Sequence, residues 1–396
     1  MIKALKRRPI ALLWSGQALS SVGDEIYRVA LVWLAVGLIG ARAGYLSAAQ
    51  LGSLFLLSVV GGHWADQWDH RRTMIGVDAL RGLIVLLPVA ARRFGGLGLP
   101  LLAGVAVAVA ALSAFFDPAL QATIPEVSDD ERTRQAATAL MGSTSRLARA
   151  VGPGIIAALS AFVPMIHFFT LDSLSFFVSA LSIKLLPPRR TPPSRPERAA
   201  FAKSLIAGWR AIAGDRRLRD LSLTRASVAA LWYLAFALGL ALMVQKLSPG
   251  DLGAFGSVVA AYGAGNVLGA VYIGHVRRDR PWRFAYGGYL WLGAGFLLMG
   301  LAPTLGWLRV ASFFAAIGGP VNDIPYYDLV QRDYPGVELT RILRFSRSCE
   351  TGASLLVMAA SPTLMSYFSP GLVVALCGLS FAVLGAAGLW STRDGP

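Results

Sequence analysis

The chain has 396 residues, 55% of them hydrophobic and only 15% charged, where a soluble domain carries about 25% charged residues. Its apolar residues run in blocks long enough to cross the roughly 30 Å hydrocarbon core of a bilayer, which excludes a water-soluble globule and predicts an all-α polytopic membrane protein. Lysine and arginine total 37 against 22 aspartates and glutamates, a formal net charge of +15 in a chain that mostly sits in lipid.

Residues Met1 to Pro9 are basic, and the apolar stretch after them is too long for a signal-peptide core, so it reads as a first retained span. Lipid offers the backbone no hydrogen-bond partners, so each long apolar run must be a helix. About twelve spans are predicted: 10–38, 44–65, 73–93, 98–125, 135–163 and 165–186, then 217–246, 251–275, 282–302, 304–333, 340–367 and 370–391. Between the two sets lies the only long polar connection, which carries the run Pro187-Pro188-Arg189-Arg190-Thr191-Pro192-Pro193. An amphipathic helix over about 197–212 follows it. The expected organisation is a six-helix bundle (1–186), a cytoplasmic linker (187–216) and a second six-helix bundle (217–396).

Basic residues set the orientation. With the N-terminus inside, one face receives Lys3, Lys6, Arg7, Arg8, Arg71, Arg72, Arg132, Arg134, the linker, Arg277, Arg278, Arg280, Arg283, Arg332, Arg341 and Arg344. The opposite face gets little more than Arg42, Arg92, Arg93, Lys246 and Arg309. Both termini are therefore expected in the cytoplasm. Most of the net charge is topological, set against anionic lipid, and argues poorly for nucleic acid.

Cys349 and Cys377 lie far apart in apolar segments, and His63, His70, His167 and His275 show no ligand spacing, so no metal or other cofactor is expected. No Walker loop or nucleophile–base constellation stands out, which speaks against an ATPase and against an enzyme generally.

An internal repeat survives at an offset of about 210 residues. Gln121 to Pro125 returns as Gln331 to Pro335, Gly62-His63 as Gly274-His275, and Pro153 as Pro362, each in the corresponding span. Transporters built from two such halves bind substrate between them and rock around it.

The loop after span two reads Gly62-His63-Trp64-Ala65-Asp66-Gln67-Trp68-Asp69-His70-Arg71-Arg72. Asp66 can face the positive N-terminus of a neighbouring helix, Arg71 and Arg72 can hold it to adjacent carboxylates, and Gly62 allows close helix approach. The expectation is a cytoplasmic gate; the alternative is that both arginines only anchor the loop to headgroups. Asp78 and Arg81, three apart on one helical face of span three, are expected to pair with each other or to relay to Asp66, since an unpaired charge there is costly.

Span one carries Asp24, Glu25 and Arg28. At 1.5 Å per residue from Ile10, Asp24 sits about 21 Å in, close to the membrane centre. Asp24 and Arg28 share a face at i, i+4, with Glu25 turned about 100° aside. The triad is a candidate for proton coupling or substrate contact, against a purely structural role. In the second half, Asn322 and Asp323 lie between Pro320 and Pro325, and Arg347 and Glu350 are three apart; these are candidate cavity residues. Arg146, Arg149, Arg225 and Arg344 would suit an anionic substrate, but snorkelling to inner headgroups is the favoured reading for them. Asp117 and Asp172 are polar packing or gating groups without a sharper role. Trp33, Trp232, Tyr233, Phe236, Tyr262, Tyr326 and Tyr327 are read as helix packing and girdle before cavity lining.

The loop from Gly62 to Arg72 resembles the signature loop of the major facilitator superfamily, with Gln67 replacing its usual arginine and Asp69 its second glycine. An aspartate at that second position resembles the enterobactin-exporter and macrolide-efflux-like branch. Gly16-Gln17, Ser21 to Asp24, Phe115 to Ala119 with Ile124-Pro125, Gly152-Pro153 and Leu171 to Phe176 are similar to that branch too. Gly152-Pro153-Gly154 resembles the glycine–proline element of drug–proton antiporters, with Ala150, Ile155 and Ala157 departing from its full pattern. The resemblance implies a monomeric secondary exporter of a bacterial inner membrane, working by alternating access. It would exchange protons for a small, anionic or amphipathic organic substrate, a siderophore or a drug. A lipid flippase, a uniporter, a metal exporter and a non-transporting membrane sensor are the alternatives.

Overall fold

The computed structural model describes residues 5–60, 68–128, 130–187, 201–276, 279–334 and 336–392. Among the described residues every regular element is helical. In chain order they are α1 (Arg8–Ile39), α2 (Ala43–Val60), α3 (His70–Val85), α4 (Leu87–Arg93), α5 (Leu99–Glu126), α6 (Glu131–Leu159) and α7 (His167–Lys184). There follow α8 (Phe201–Gly214), α9 (Arg216–Trp232), α10 (Leu240–Leu247), α11 (Leu252–His275), α12 (Pro281–Gly300), α13 (Leu305–Asp333), α14 (Val337–Tyr367) and α15 (Pro370–Ser391). The third expected span is α3 continued by α4. The seventh is α9 and α10 joined through a π-helical turn, Tyr233–Gly239. The amphipathic helix of the linker is α8, and residues 197–200 of the expected range lie outside the described residues.

Local chemistry explains the boundaries. The Asp69 carboxylate accepts from the Arg72 N–H at 2.8 Å and starts α3. Asp130 accepts from Thr133 N–H at 2.7 Å to start α6, and Asp251 from Ala254 N–H at 2.8 Å to start α11. Each satisfies a backbone donor that has no partner inside its helix. Between α1 and α2 the chain turns at Gly40, whose φ of 58° is a left-handed conformation that favours glycine.

Asp215 caps α9 by accepting from the N–H groups of Arg217 and Leu218 at 2.8 and 3.2 Å, and from the Tyr334 hydroxyl at 2.7 Å. Burial alone would raise its pKa, but the tyrosine and the two amides outweigh it and hold the carboxyl below the usual range. A depressed pKa contributes stability above the unfolded value of about 3.9, lost as pH falls through the folded one. Asp215→Ala should therefore cost about 1 kcal/mol at neutral pH, measured by thermal unfolding in detergent. The difference from wild type should shrink as pH drops below about 4.

By length and composition, Arg8–Leu57, His70–Arg93, Leu99–Glu126, Arg216–Leu247, Leu252–His275 and Pro370–Ser391 are apolar enough to cross a membrane. Several of the other long helices, α6, α7, α13 and α14, carry intramembrane charges, hydroxyls and prolines that lower their mean hydropathy.

The residues group into two compact units, Met1–Leu38 with Gly52–Arg198, and Ile39–Leu51 with Ala199–Pro396. This departs from the expected halves in one segment. The start of α2 packs on α14, where Gly44 lies against Ser361 and Pro362 with no room for a side chain.

Because lipid tails are as apolar as leucine, close packing rather than burial from water drives such helices together. In the first unit Gly16 and Gly23 of α1 lie against Ser179, Ser182 and Ser175 of α7, and Gln17 donates to Ser179 Oγ at 3.0 Å. A core of Ile10, Leu13, Met74, Val77, Phe116, Ile124 and Ile183 fills one end. In the second unit Gly288 of α12 meets Asn322 of α13, and Gly293 of α12 meets Gly378 of α15.

Candidate functional site

Two groups of intramembrane charge stand out, one in each unit. The first is built on α1. Arg28 forms an ion pair with Glu25, although it is Asp24 that shares its helical face at i, i+4. Glu25 has one methylene more than Asp24 and reaches the guanidinium across three residues, while Asp24 is half-buried. Gly152 of α6 packs directly on this point, since a methyl group there would fall 2.6 Å from Glu25 Cβ. Pro153 follows inside the same helix. Gly152-Pro153 and Glu25 thus meet in one contact.

Behind them, Asp78 and Arg81 of α3 lie 3.5 Å apart and are buried, as their spacing predicts. The Arg81 guanidinium sits over the rings of Phe116 and Phe176 at 4.9 and 5.4 Å. Asp172 of α7 is fully buried beside Gly23.

Gly62 and Asp66 lie outside the described residues. Of the rest of that loop, Arg71 donates to the carbonyls of Lys184 and Pro187 at 2.5 and 3.4 Å. This differs from the expected bond to a carboxylate. A helix C-terminus presents unpaired carbonyls and partial negative charge, and a guanidinium satisfies both. His70 Nδ1 lies 3.1 Å from Glu126 at the end of α5. Arg72 is exposed, and its backbone N–H serves the Asp69 cap.

The second group centres on Arg225 of α9, whose side chain is only 10% exposed. Its Nε donates to Glu350 of α14 at 2.7 Å, and its Nη1 pairs with Asp323 of α13. The guanidinium lies 4.7 Å from the Tyr326 ring and 5.3 Å from that of Tyr327. Arg347 approaches the other Glu350 oxygen at 3.4 Å and is 71% exposed. Arg225 is therefore no snorkelling residue. Asn322 is not brought to this cluster, because it is buried against Gly288 and its amide donates to the Gly318 carbonyl at 3.0 Å. Nearby, Trp232 stacks on Phe236 at 4.9 Å and donates to the Tyr262 hydroxyl at 2.8 Å.

Two six-span sets, a repeat and paired intramembrane charges are features of transporters built from two halves. The profile described as "Major Facilitator Superfamily" matches residues 13–356. The chain belongs to the Major Facilitator Superfamily. The transporter is 25% identical to "Uncharacterized MFS-type transporter YfiS" of Bacillus subtilis (strain 168), over 96% of its own length and 92% of that relative's. Among solved structures it is similar to "In meso crystal structure of the POT family transporter PepTSo", with a TM-score of 0.75, 12% identity and 98% of each chain covered. That likeness is one of fold alone. The protein is a multi-pass membrane transporter and not an enzyme.

Sequence reasoning missed Arg225 as a member of the second cluster and Asp172 as a buried acid of the first. A signal for Arg225 is present in Asp323 and Glu350, two acids within spans that need a cation beside them.

Proposed function

We propose that this transporter is a proton-coupled secondary exporter, working by alternating access, that expels a small organic molecule from the cytoplasm. The observation carrying the reading is the contact of Gly152 with Glu25, which places a proline-containing helix against an ionisable group midway along α1. A carboxylate in the membrane is costly unless it pairs or changes protonation, so Asp24 and Glu25 can bind and release protons beside Arg28, which pairs with Glu25. A helix packed on them can couple that change to movement.

Of the two substrate classes, a lipophilic drug fits better than an anionic siderophore. Arg225 is already neutralised by Asp323 and Glu350, which removes much of the cationic excess that would hold an anion. The partly exposed Trp232 and Phe236 offer ring faces to an amphipathic or cationic ligand instead. The distribution of basic residues supports cytoplasmic termini, and a monomer in a bacterial inner membrane is what the resemblance to the exporter branch implies.

The test uses purified protein in proteoliposomes, with ethidium as the lipophilic cation and a catecholate chelator as the anion. Wild type should move ethidium uphill when a proton gradient is imposed. Asp24→Asn combined with Glu25→Gln should abolish that movement while ethidium still raises the unfolding temperature. Unchanged gradient-driven export from the double variant would sink the assignment, and flux without proton movement would point to a uniporter or flippase.

A further inference from the structure

In the first unit the acids outnumber the arginines that can serve them. Arg28 is paired with Glu25, and Arg81 lies nearest Asp78. Asp172 is fully buried and its Oδ2 has no hydrogen-bond partner. Its Oδ1 has only the Ser175 hydroxyl at 3.4 Å, and that hydroxyl bonds better, at 2.8 Å, to the Asp172 carbonyl. Tyr27 on α1 points a buried hydroxyl, also without a partner, into the same region. The charged and titratable groups facing Asp172 are Asp24 and Tyr27 from α1 and Asp78 and Arg81 from α3. One step further out are Glu25 and Arg28 on α1, Asp117 on α5 and Arg149 on α6.

An ionised Asp172 would add a negative charge among aspartates that already share Arg81, and would leave one oxygen with neither water nor a donor. A buried charge survives only when paired and hydrogen-bonded. The protonated acid avoids the charge, and its O–H is a donor in a region where the Tyr27 oxygen lacks one. Asp24, half-buried, connects this interior to the surface of the unit.

We propose that Asp172 is the proton-holding carboxyl of the first unit and is loaded from water through Asp24. A proton taken up by Asp24 passes inward: the O–H bond at Asp24 breaks as one forms at Asp172 Oδ2. Asp24 is left as the anion, facing Arg81 and Arg28. Return of the proton by the same route discharges the site. The inference deepens the proton-coupled reading and rests on it only for the work that the proton does.

Infrared difference spectroscopy of the full chain in lipid nanodiscs tests the proposal without any substrate. At neutral pH the wild type should show a protonated carboxyl C=O band that shifts on transfer to D2O. Asp172→Asn should remove that band, and Asp24→Asn should keep it but slow its deuterium shift at least tenfold. Should Asp172→Asn fail to fold, Asp172→Glu should move the band to a new frequency. A band unchanged in the Asp172 variants, one insensitive to Asp24→Asn, or one abolished by sodium chloride but not by choline chloride, overturns the proposal. Gradient-driven ethidium export is then measured on the same preparations. Wild-type export that ignores the gradient overturns the coupled reading while leaving the infrared assignment standing, so the two fail separately.

Discussion

Arg225→Leu is expected to destabilise the transporter by about 3–5 kcal/mol, because it leaves the buried Glu350 without the guanidinium that bonds it at 2.7 Å. The exposed Arg347 reaches only one Glu350 oxygen, at 3.4 Å, and can compensate in part. Asp323 is 49% exposed and loses less, since water can solvate it. Arg225→Lys should rescue poorly, because an ammonium cannot fork to two carboxylates on different helices as a guanidinium does. The combination Arg225→Leu with Glu350→Gln and Asp323→Asn should recover most of the loss, since removing a whole buried charge group is often neutral. Thermal unfolding in detergent measures all three. A loss below about 0.5 kcal/mol for Arg225→Leu would reduce the cluster to a solvated surface pair. If the triple variant is stable but no longer exports, the charges serve transport beyond holding α9, α13 and α14 together.

The reason Arg225 looks different in the sequence and in the fold is depth. It lies nine residues after Arg216, about 14 Å along the helix at 1.5 Å per residue. A side chain that far from the end of a span cannot easily snorkel, and the same arithmetic that placed Asp24 near the midplane applies to it. What the sequence does not contain is which acids face it, since α9, α13 and α14 meet only after folding. Helix positions were legible for the opposite reason. The caps Asp69, Asp130, Asp251 and Ser369 sit within a few residues of the apolar runs they start, so composition and local hydrogen bonding mark the same boundaries. Asp69 is a departure from the signature loop that turns out to have this local use.

Motif letters carried contacts whose partners they did not reveal. Gly16 and Gly23, seven residues apart, fall on one face of α1, where they admit the serines of α7. Asp172, at the start of a similar motif, is buried beside Gly23, and its unsatisfied oxygen is a property of the packed bundle alone. The pairing of Arg28 with Glu25 instead of Asp24 is a matter of one methylene and a rotamer, which helical spacing cannot decide.

Gly152→Ala puts these contacts under strain directly. The added methyl group would lie 2.6 Å from Glu25 Cβ, a carbon fixed to the α1 backbone that no rotamer change can move. Helices α1 and α6 must separate, at a cost of about 1–3 kcal/mol for overpacking, and the Glu25–Arg28 pair moves with them. Gradient-driven export should fall at least tenfold, with a lower unfolding temperature. Gly142→Ala is the internal control on the same helix. Its methyl group would meet only the mobile end of Arg146, at 3.7 Å. There the helix-propensity gain of roughly 0.8–1 kcal/mol is unopposed, so this variant should be slightly more stable and export normally. The same chemical change thus has opposite expected signs ten residues apart on α6. Equal effects at both positions would mean that α6 tolerates or resents alanine generally, and that the contact at Glu25 has no special part in transport.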